Sequence, residues 1–404
     1  MSIRTREELS NALRQAAELE HALLSQYLFA ALTLKKSGEG LTPPQEKLAR
    51  AWEAEILLIA REEMGHLAIV FNLLAAIGEP AALMRPPLPR QIDYYPFPFD
   101  LLPFGDEALH RFLTFELPRD HPPPPPPGAD LRAGGASLMS QDFGIGPEPI
   151  DYKYVGELYS EIKGGFAAIP EKQLFIGPAA AQTDDNWSDP YLDIRVVNDK
   201  ASAIAAIDEI IEDGEGSPNN TDDSHYRRFE KIRLELFDAG RFSAARAVVK
   251  NPATRSDPAV SGTVTLITNP QAMELAKLFN ITYAFTLSVL QYYFTLAPVD
   301  DVERARRERL RECSQRLMSI ALRPLAEILT KTPVAPNAAS FAGPPFELYS
   351  TIAASPYPGV EWTILLEEFE RVVSGCEFLA ATFKRLGPIA ETLEIMRKDL
   401  VSAA

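Results

Sequence analysis

Glu63 and His66 stand three residues apart in the run Arg61-Glu62-Glu63-Met64-Gly65-His66-Leu67. If that run is helical, the two side chains share a face, and a carboxylate beside an imidazole is half of a metal site. The Glu-x-x-His step is the one used by di-iron and di-manganese carboxylate bundles, where glutamates from neighbouring helices complete the ligand set. Glu20, on the preceding segment, is a partner of the right type. The chemistry suggested is a carboxylate-bridged metal pair inside a helical bundle.

Such a pair needs long elements to position it. Thr5 with Glu8 three residues on forms a capping-box pattern, and an apolar period then runs to about Lys36. Ser37-Gly38-Glu39-Gly40 breaks it, and Thr42-Pro43-Pro44 opens a second helix that ends before Gly78 and Pro80. Ile56, Ile59, Ala60, Leu67 and Val70 share the face of Glu63 and His66, and a charge buried there is costly without a partner or a metal. Glu20 lies about 17 residues before the break and Glu63 about 20 after it. At about 1.5 Å per residue the two differ in height by about 4 Å in an antiparallel hairpin, so they stand level.

Metal pairs of this class use four carboxylates and two histidines, so a second half-site is expected. Glu157 lies on a helix expected over 152–166, with Glu161 one turn on. A further helix over 200–213 leads to Glu215, and His225 follows after a polar loop at the start of another helix. That spacing departs from the i, i+3 step, and Glu209 or Glu212 stands more level with Glu157. His21 suits a structural hydrogen bond, and His110 and His121 read as surface residues. Tyr27, one or two turns from Glu20, is a candidate catalytic residue lining the pocket or taking part in redox chemistry; the alternative is a core tyrosine with a bonded hydroxyl.

Residues 79–106 are rich in proline and aromatics (Tyr94, Tyr95, Phe97, Phe99, Phe104) and read as a packed connection. A short helix over 107–117 follows, then a proline run, Pro122 to Pro127, stiff and extended; with 128–135 it reads as a mobile surface loop. Short strands are expected at 173–176 and 193–197. Three more helices are expected, at 270–296, 302–330 and 362–396, the second opening on a solvated face of alternating charge, Glu303 to Arg309. The organisation expected is a bundle with insertions over 1–240 and a helical extension over 241–404 packed on it.

The 404 residues are 46% hydrophobic and 24% charged, with a net charge of −16. That balance is globular and argues against a nucleic-acid partner, which needs a basic footprint, and against anionic membrane surfaces. No stretch approaches the roughly 18 apolar residues of a membrane span. The N-terminus shows no apolar signal region, and Cys313 and Cys376 show no metal spacing; a cytoplasmic location with reduced thiols is expected.

Five motifs occur in order: Glu20-His21-Ala22-Leu23-Leu24-Ser25-Gln26-Tyr27-Leu28, Glu62-Glu63-Met64-Gly65-His66-Leu67, Gly156-Glu157-Leu158-Tyr159, Asp213-Gly214-Glu215-Gly216 and Ser224-His225-Tyr226-Arg227-Arg228-Phe229. Together with Leu278 to Tyr283 and Ala342 to Glu347, this pattern resembles the ferritin-like family that includes the iminophenylpyruvate dimer synthase domain of the violacein pathway. The resemblance implies an all-α fold, a four-helix bundle elaborated by Pro/aromatic-rich connections and C-terminal helices. It favours Glu215 and His225, which fall on the family's fourth-helix motif. It implies two iron ions held by Glu20, Glu63, His66, Glu157, Glu215 and His225, although manganese or zinc also suit such ligands. The activity implied is a secondary-metabolism oxidoreductase acting with O₂ on a small aromatic or amino-acid-derived imine, with a reductase and a second copy of the chain as candidate partners. The alternatives are a non-catalytic, iron-handling metal protein and a degenerate scaffold holding one metal or none. The chain is more than twice as long as a simple bundle, and the extra irregular sequence suits a substrate pocket.

Overall fold

The computed structural model describes residues 3–91, 95–118, 121–129, 155–184, 194–214, 223–257, 259–260, 262–350, 352 and 359–402. Helix dominates them, and the only strands among them are a two-residue parallel pair, β1 (Pro252–Ala253) and β2 (Thr265–Leu266).

Two long helices set the frame, α1 (Arg6–Thr33) and α2 (Pro43–Ala76). The Thr5 hydroxyl accepts from Glu8 N while Glu8 accepts from Thr5 N, so two of the free amides at the start of α1 are satisfied reciprocally. Arg6, at the start of α1, donates to Ile77 O at the end of α2, and Arg14 pairs with Glu79. The hairpin is therefore antiparallel, as the height argument requires. α4 (Val155–Ala168) and α6 (Lys200–Gly214) pack on each other and on α1 and α2, respectively, completing four helices. α3 (Asp106–Phe115) packs on α7 (His225–Asp238), and this pair closes one end of the bundle.

The strands expected at 173–176 and 193–197 do not form in the described residues. Residues Glu171–Leu174 make a single helical turn, α5, and Ile176 and Gly177 both donate to Ala76 O at the end of α2. A Cβ on Gly177 would lie 1.7 Å from Ala75 O, so the chain docks there only because residue 177 is glycine. The proline run also departs from expectation. Arg233 of α7 donates to Pro125 O and Pro126 O and pairs with Asp106, which accepts from Gly128 N. Residues 122–128 are thus pinned to the α3–α7 pair; most of 128–135 lies outside the described residues.

The C-terminal part is organised around α8 (Pro270–Thr295), which is buried on most of its surface. The helix expected over 302–330 is interrupted: α9 (Asp301–Leu317) passes through a π turn, Met318–Leu322, into α10 (Arg323–Leu329). Pro324 has no N–H to continue the ladder, and the wider turn absorbs the mismatch. The helix expected over 362–396 divides into α11 (Val360–Ala380) and α12 (Leu386–Val401), because Pro388 belongs in a first turn. One continuous apolar core runs from Ile3 through the bundle to Leu400. No described helix is long and apolar enough to cross a membrane.

Candidate metal centre

Where α1, α2 and the α3–α7 pair meet, three carboxylates and two imidazoles are buried together. Glu20, Glu63, His66, Glu116 and His225 are each 3% exposed or less. They form two groups whose ligand atoms lie within 4.8 Å of one another: Glu20, Glu63 and His66, and Glu63, Glu116 and His225. Glu63 belongs to both. Its Oε2 is 3.1 Å from His66 Nδ1 and its Oε1 is 3.0 Å from His225 Nδ1. Glu20 Oε2 is 4.0 Å from His66 Nδ1, and Glu116 Oε1 is 3.8 Å from His225 Nδ1.

The elements explain the positions. Glu63 and His66 share a face of α2 because they are three residues apart, and the antiparallel hairpin brings Glu20 level with them. Glu116 is the residue that ends α3, its N–H still bonded to Phe112 O. His225 is the first residue of α7, whose amides are capped by Ser224 Oγ accepting from Arg227 N. Both belong to helix ends, so the packing of α3 on α7 decides whether they meet.

Four of the five ligand-type groups have an outer partner. The Tyr159 hydroxyl donates to Glu20 and the Tyr27 hydroxyl to Glu116. His66 Nε2 faces Asp213 at 3.5 Å, and His225 Nε2 faces Glu62 at 3.1 Å. Glu62 is held in turn by Arg228, which also binds Glu55. Carboxylates on the far nitrogens fix both imidazoles so that Nδ1 points at the centre, an arrangement that orients histidine ligands and raises their basicity.

The electrostatics are those of a site built for cations. Burial and the neighbouring Glu63 charge push the Glu20 carboxyl well above its ordinary range, and the same two causes raise Glu116. Glu63 goes the other way: burial would raise it, but His225 and His66 outweigh burial and hold it well below. Burial would likewise lower His66, yet its hydrogen bonds to Asp213 and Glu63, with the Glu63 and Glu20 charges, lift it to about 10. His225 is raised for the same kind of reason, against burial. Three ionised carboxylates exceed two imidazolium charges by one, and in keeping with that Glu20 and Glu116 hold their protons more tightly while Glu63 stays ionised. His225 Nδ1 is moreover buried between two carboxylates, 3.0 Å from Glu63 Oε1 and 3.8 Å from Glu116 Oε1, without a well-aligned hydrogen bond to either. A nitrogen aimed between acidic oxygens, in an oxygen- and imidazole-rich donor set, fits a pair of transition-metal ions.

A small cleft adjoins the centre. Its walls are Leu23, Val155, Gly156, Ile210, Ile211 and Gly214, with Tyr159 at the carboxylates.

The residues expected from sequence fall into three sets. Glu20, Glu63, His66 and His225 come together. Glu157 stands half-buried in the first turn of α4 and belongs to neither group, the cavity wall at that turn being Val155, Gly156 and Tyr159. Glu161 and Glu209 are likewise partly buried and Glu212 is exposed, none of them in a group; Glu215 lies outside the described residues. Tyr27 is fully buried against Phe112 and Phe229, bonded to Glu116, and does not line the cavity. His21 bonds the Tyr283 hydroxyl, as a structural histidine should. His110 is not a surface residue: it is half-buried beside Phe97, and burial with the Arg233 charge lowers it to about 4. His121 packs on Tyr226 and contacts its hydroxyl at 3.2 Å. Glu116, Asp213 and Tyr159 went unassigned in the sequence. The signal for Glu116 was an acid set among Phe112, Leu113, Phe115 and Leu117, all of which are buried.

A solved ferritin-like protein from Caulobacter vibrioides is 18% identical and overlays 78% of this chain and 96% of its own with a TM-score of 0.45. Dichlorochromopyrrolate synthase of Lentzea aerocolonigenes is 29% identical over 96% of this chain, and the 2-imino-3-(indol-3-yl)propanoate dimerase of Chromobacterium violaceum is 26% identical over 97%. The chain spans 42% and 37% of the lengths of these two relatives. Residues 13–234, which carry the whole metal centre, match the family model described as Ferritin-like, and the chain belongs to that family.

Proposed function

We propose that this chain is a di-iron oxidative enzyme that couples two aromatic, amino-acid-derived 2-imino acids. The observation that carries the reading is Glu63, shared between two buried groups that each add one further glutamate and one histidine. The names of the two relatives, a synthase and an indolyl imine dimerase, support the substrate class. Glu20, Glu63 and His66 would hold one iron and Glu63, Glu116 and His225 the other, with Glu157 and Glu215 as further candidate ligands. Bound irons would supply reversible one-electron steps and open positions for O₂.

The chain's own residues set the conditions. Leu23, Val155, Ile210 and Ile211 give the cleft an apolar side facing the carboxylates and His66. Gly156 and Gly214 leave bare backbone in its wall, and a Cβ on Gly214 would lie 3.3 Å from Glu116 Oε2. Tyr159 keeps a phenolic proton at the cavity edge, donated to Glu20. Joining two units breaks two C–H bonds and forms one C–C bond. Two electrons and two protons leave, and O₂ accepts them as hydrogen peroxide.

The test is to incubate the iron-loaded chain with an indolyl 2-imino acid generated in place from tryptophan by an amino-acid oxidase. Oxygen uptake beyond that of the oxidase, with a product of dimer mass, is expected. No dimer above the iron-free control would overturn the reading.

A further inference from the structure

Arg85 lies outside the metal centre, in the connection after α2, and is 5% exposed. Its Nη1 donates to Pro86 O at 3.0 Å and its Nη2 to Phe346 O. Its Nε is buried with no acceptor, and no carboxylate pairs with it among the described residues. On one side stands the Tyr283 ring, its centroid 5.9 Å from the guanidinium carbon; the Tyr283 hydroxyl bonds His21. Neither neighbour is a carboxylate. A guanidinium does not shed its proton in a protein, so a full positive charge is buried with, among the described residues, two carbonyls and a ring face as compensation. Buried ions without a counter-charge are strongly unfavourable.

The surroundings hold this guanidinium in place. Gln291 of α8 accepts from Leu83 N and donates to Ala81 O, fixing the segment that leads into Arg85. On the other side Phe346 adopts a left-handed φ of 52°, which costs a non-glycine residue free energy. The next residue secures it: Glu347 accepts from Thr254 and Asn280, and its own N–H donates to Asn280 Oδ1. A strained backbone aims a carbonyl at a buried cation whose Nε–H is left open, and this occurs in the two C-terminal motifs that the metal centre does not use.

We propose that Arg85 anchors a carboxylate-binding site between α1 and α8. A carboxylate accepting from Nε–H would supply the missing negative charge, and the guanidinium fork suits that group's geometry. The inference is independent of the metal reading. Two sources share the chemistry, a free small carboxylate and the carboxylate of an aromatic 2-imino acid.

The experiment uses metal-stripped full chain, so its failure and that of the metal centre are separable. Thermal unfolding is followed in sodium acetate, and separately in an arylpyruvate as a stable stand-in for the imino acid, at constant ionic strength. A saturable rise in wild-type Tm of about 2 °C is expected, absent in Arg85→Met. Without either anion, Arg85→Met should match or exceed the wild type, since it removes an uncompensated charge. A response to arylpyruvate at a hundredth of the acetate concentration assigns the site to substrate; equal responses assign it to free carboxylate. Should Arg85→Met fail to fold, saturation-transfer NMR between wild-type protein and acetate, displaced by formate, gives the same decision. A Tm indifferent to both anions, or an equal rise in wild type and Arg85→Met, overturns the proposal.

Discussion

The two halves of the metal centre are chemically alike and built in opposite ways. Glu20, Glu63 and His66 sit in the middle of two long helices, where each position is fixed by many turns of packing on either side. Glu116 caps the C-terminus of α3 and His225 is the first residue of α7, two short helices, both held by caps and by the contact of α3 with α7. The outer partners differ to match. Asp213 is 37% exposed and 3.5 Å from His66, whereas Glu62 is 13% exposed, 3.1 Å from His225 and clamped by Arg228. The half with weaker backbone support has the stronger outer clamp. Rigidity lacking in the helix ends is supplied by an ion-pair chain running from His225 through Glu62 and Arg228 to Glu55.

The largest effect should come from the residue common to both halves. Glu63→Ala removes a ligand from each group, and metal content should fall from about two ions per chain to near none, as elemental analysis would read. Retention of one ion would mean that the halves are independent and that Glu63 does not bridge them.

The outer carboxylates test the comparison itself. Glu62→Gln and Asp213→Asn each leave the ligand atoms in place while weakening the hold on an imidazole, a change that typically costs about 10- to 100-fold in metal affinity. Glu62→Gln should fall near the upper end and Asp213→Asn near the lower end in competition titrations with a chromophoric chelator. The reverse order would show that the α3–α7 half does not depend on its clamp.

A smaller and pH-dependent effect separates metal from proton. In the metal-free protein His66 is raised from its ordinary value of roughly 6.5 to about 10, against burial, by Asp213, Glu63 and Glu20. A raised imidazole stabilises the fold fully below its unfolded value and loses that contribution as pH rises through the folded one. Metal-free protein should therefore lose thermal stability between about pH 6.5 and 10, and His225 acts in the same direction. Metal-loaded protein, with both imidazoles already deprotonated, should be flatter over that window. Parallel Tm-against-pH curves for the two forms would contradict a shared site for metal and protons.

The contrast between the halves also explains what was legible in the sequence. The α1–α2 half follows from periodicity alone: an i, i+3 pair, a glycine break and the rise per residue suffice to place Glu20 opposite His66. Glu116 obeys no such rule. Its partner Tyr27 is 89 residues away, and their contact depends on how α3 lies on α7. His225 stands out only through the motif it shares with the family, because a polar loop breaks the helical spacing that would have pointed to it. Elsewhere the misreadings have the same origin. Pro122 to Pro127 carries no sign of Arg233, whose guanidinium collects two of its carbonyls. Residues 173–176 have strand composition, but the Gln173 and Phe175 amides bond within the local helical turn and that of Ile176 to Ala76 O at the end of α2. Local propensity is readable in the chain; contacts between the ends of distant elements are not.

The most direct test of the two-metal centre is its stoichiometry in the wild type and in Glu116→Ala, with protein purified from iron-supplemented cells. About two irons per chain are expected in the wild type and about one in Glu116→Ala, because the Glu20, Glu63 and His66 group is left whole. Two irons retained in Glu116→Ala, or none in the wild type, would contradict a pair of metals bridged by Glu63.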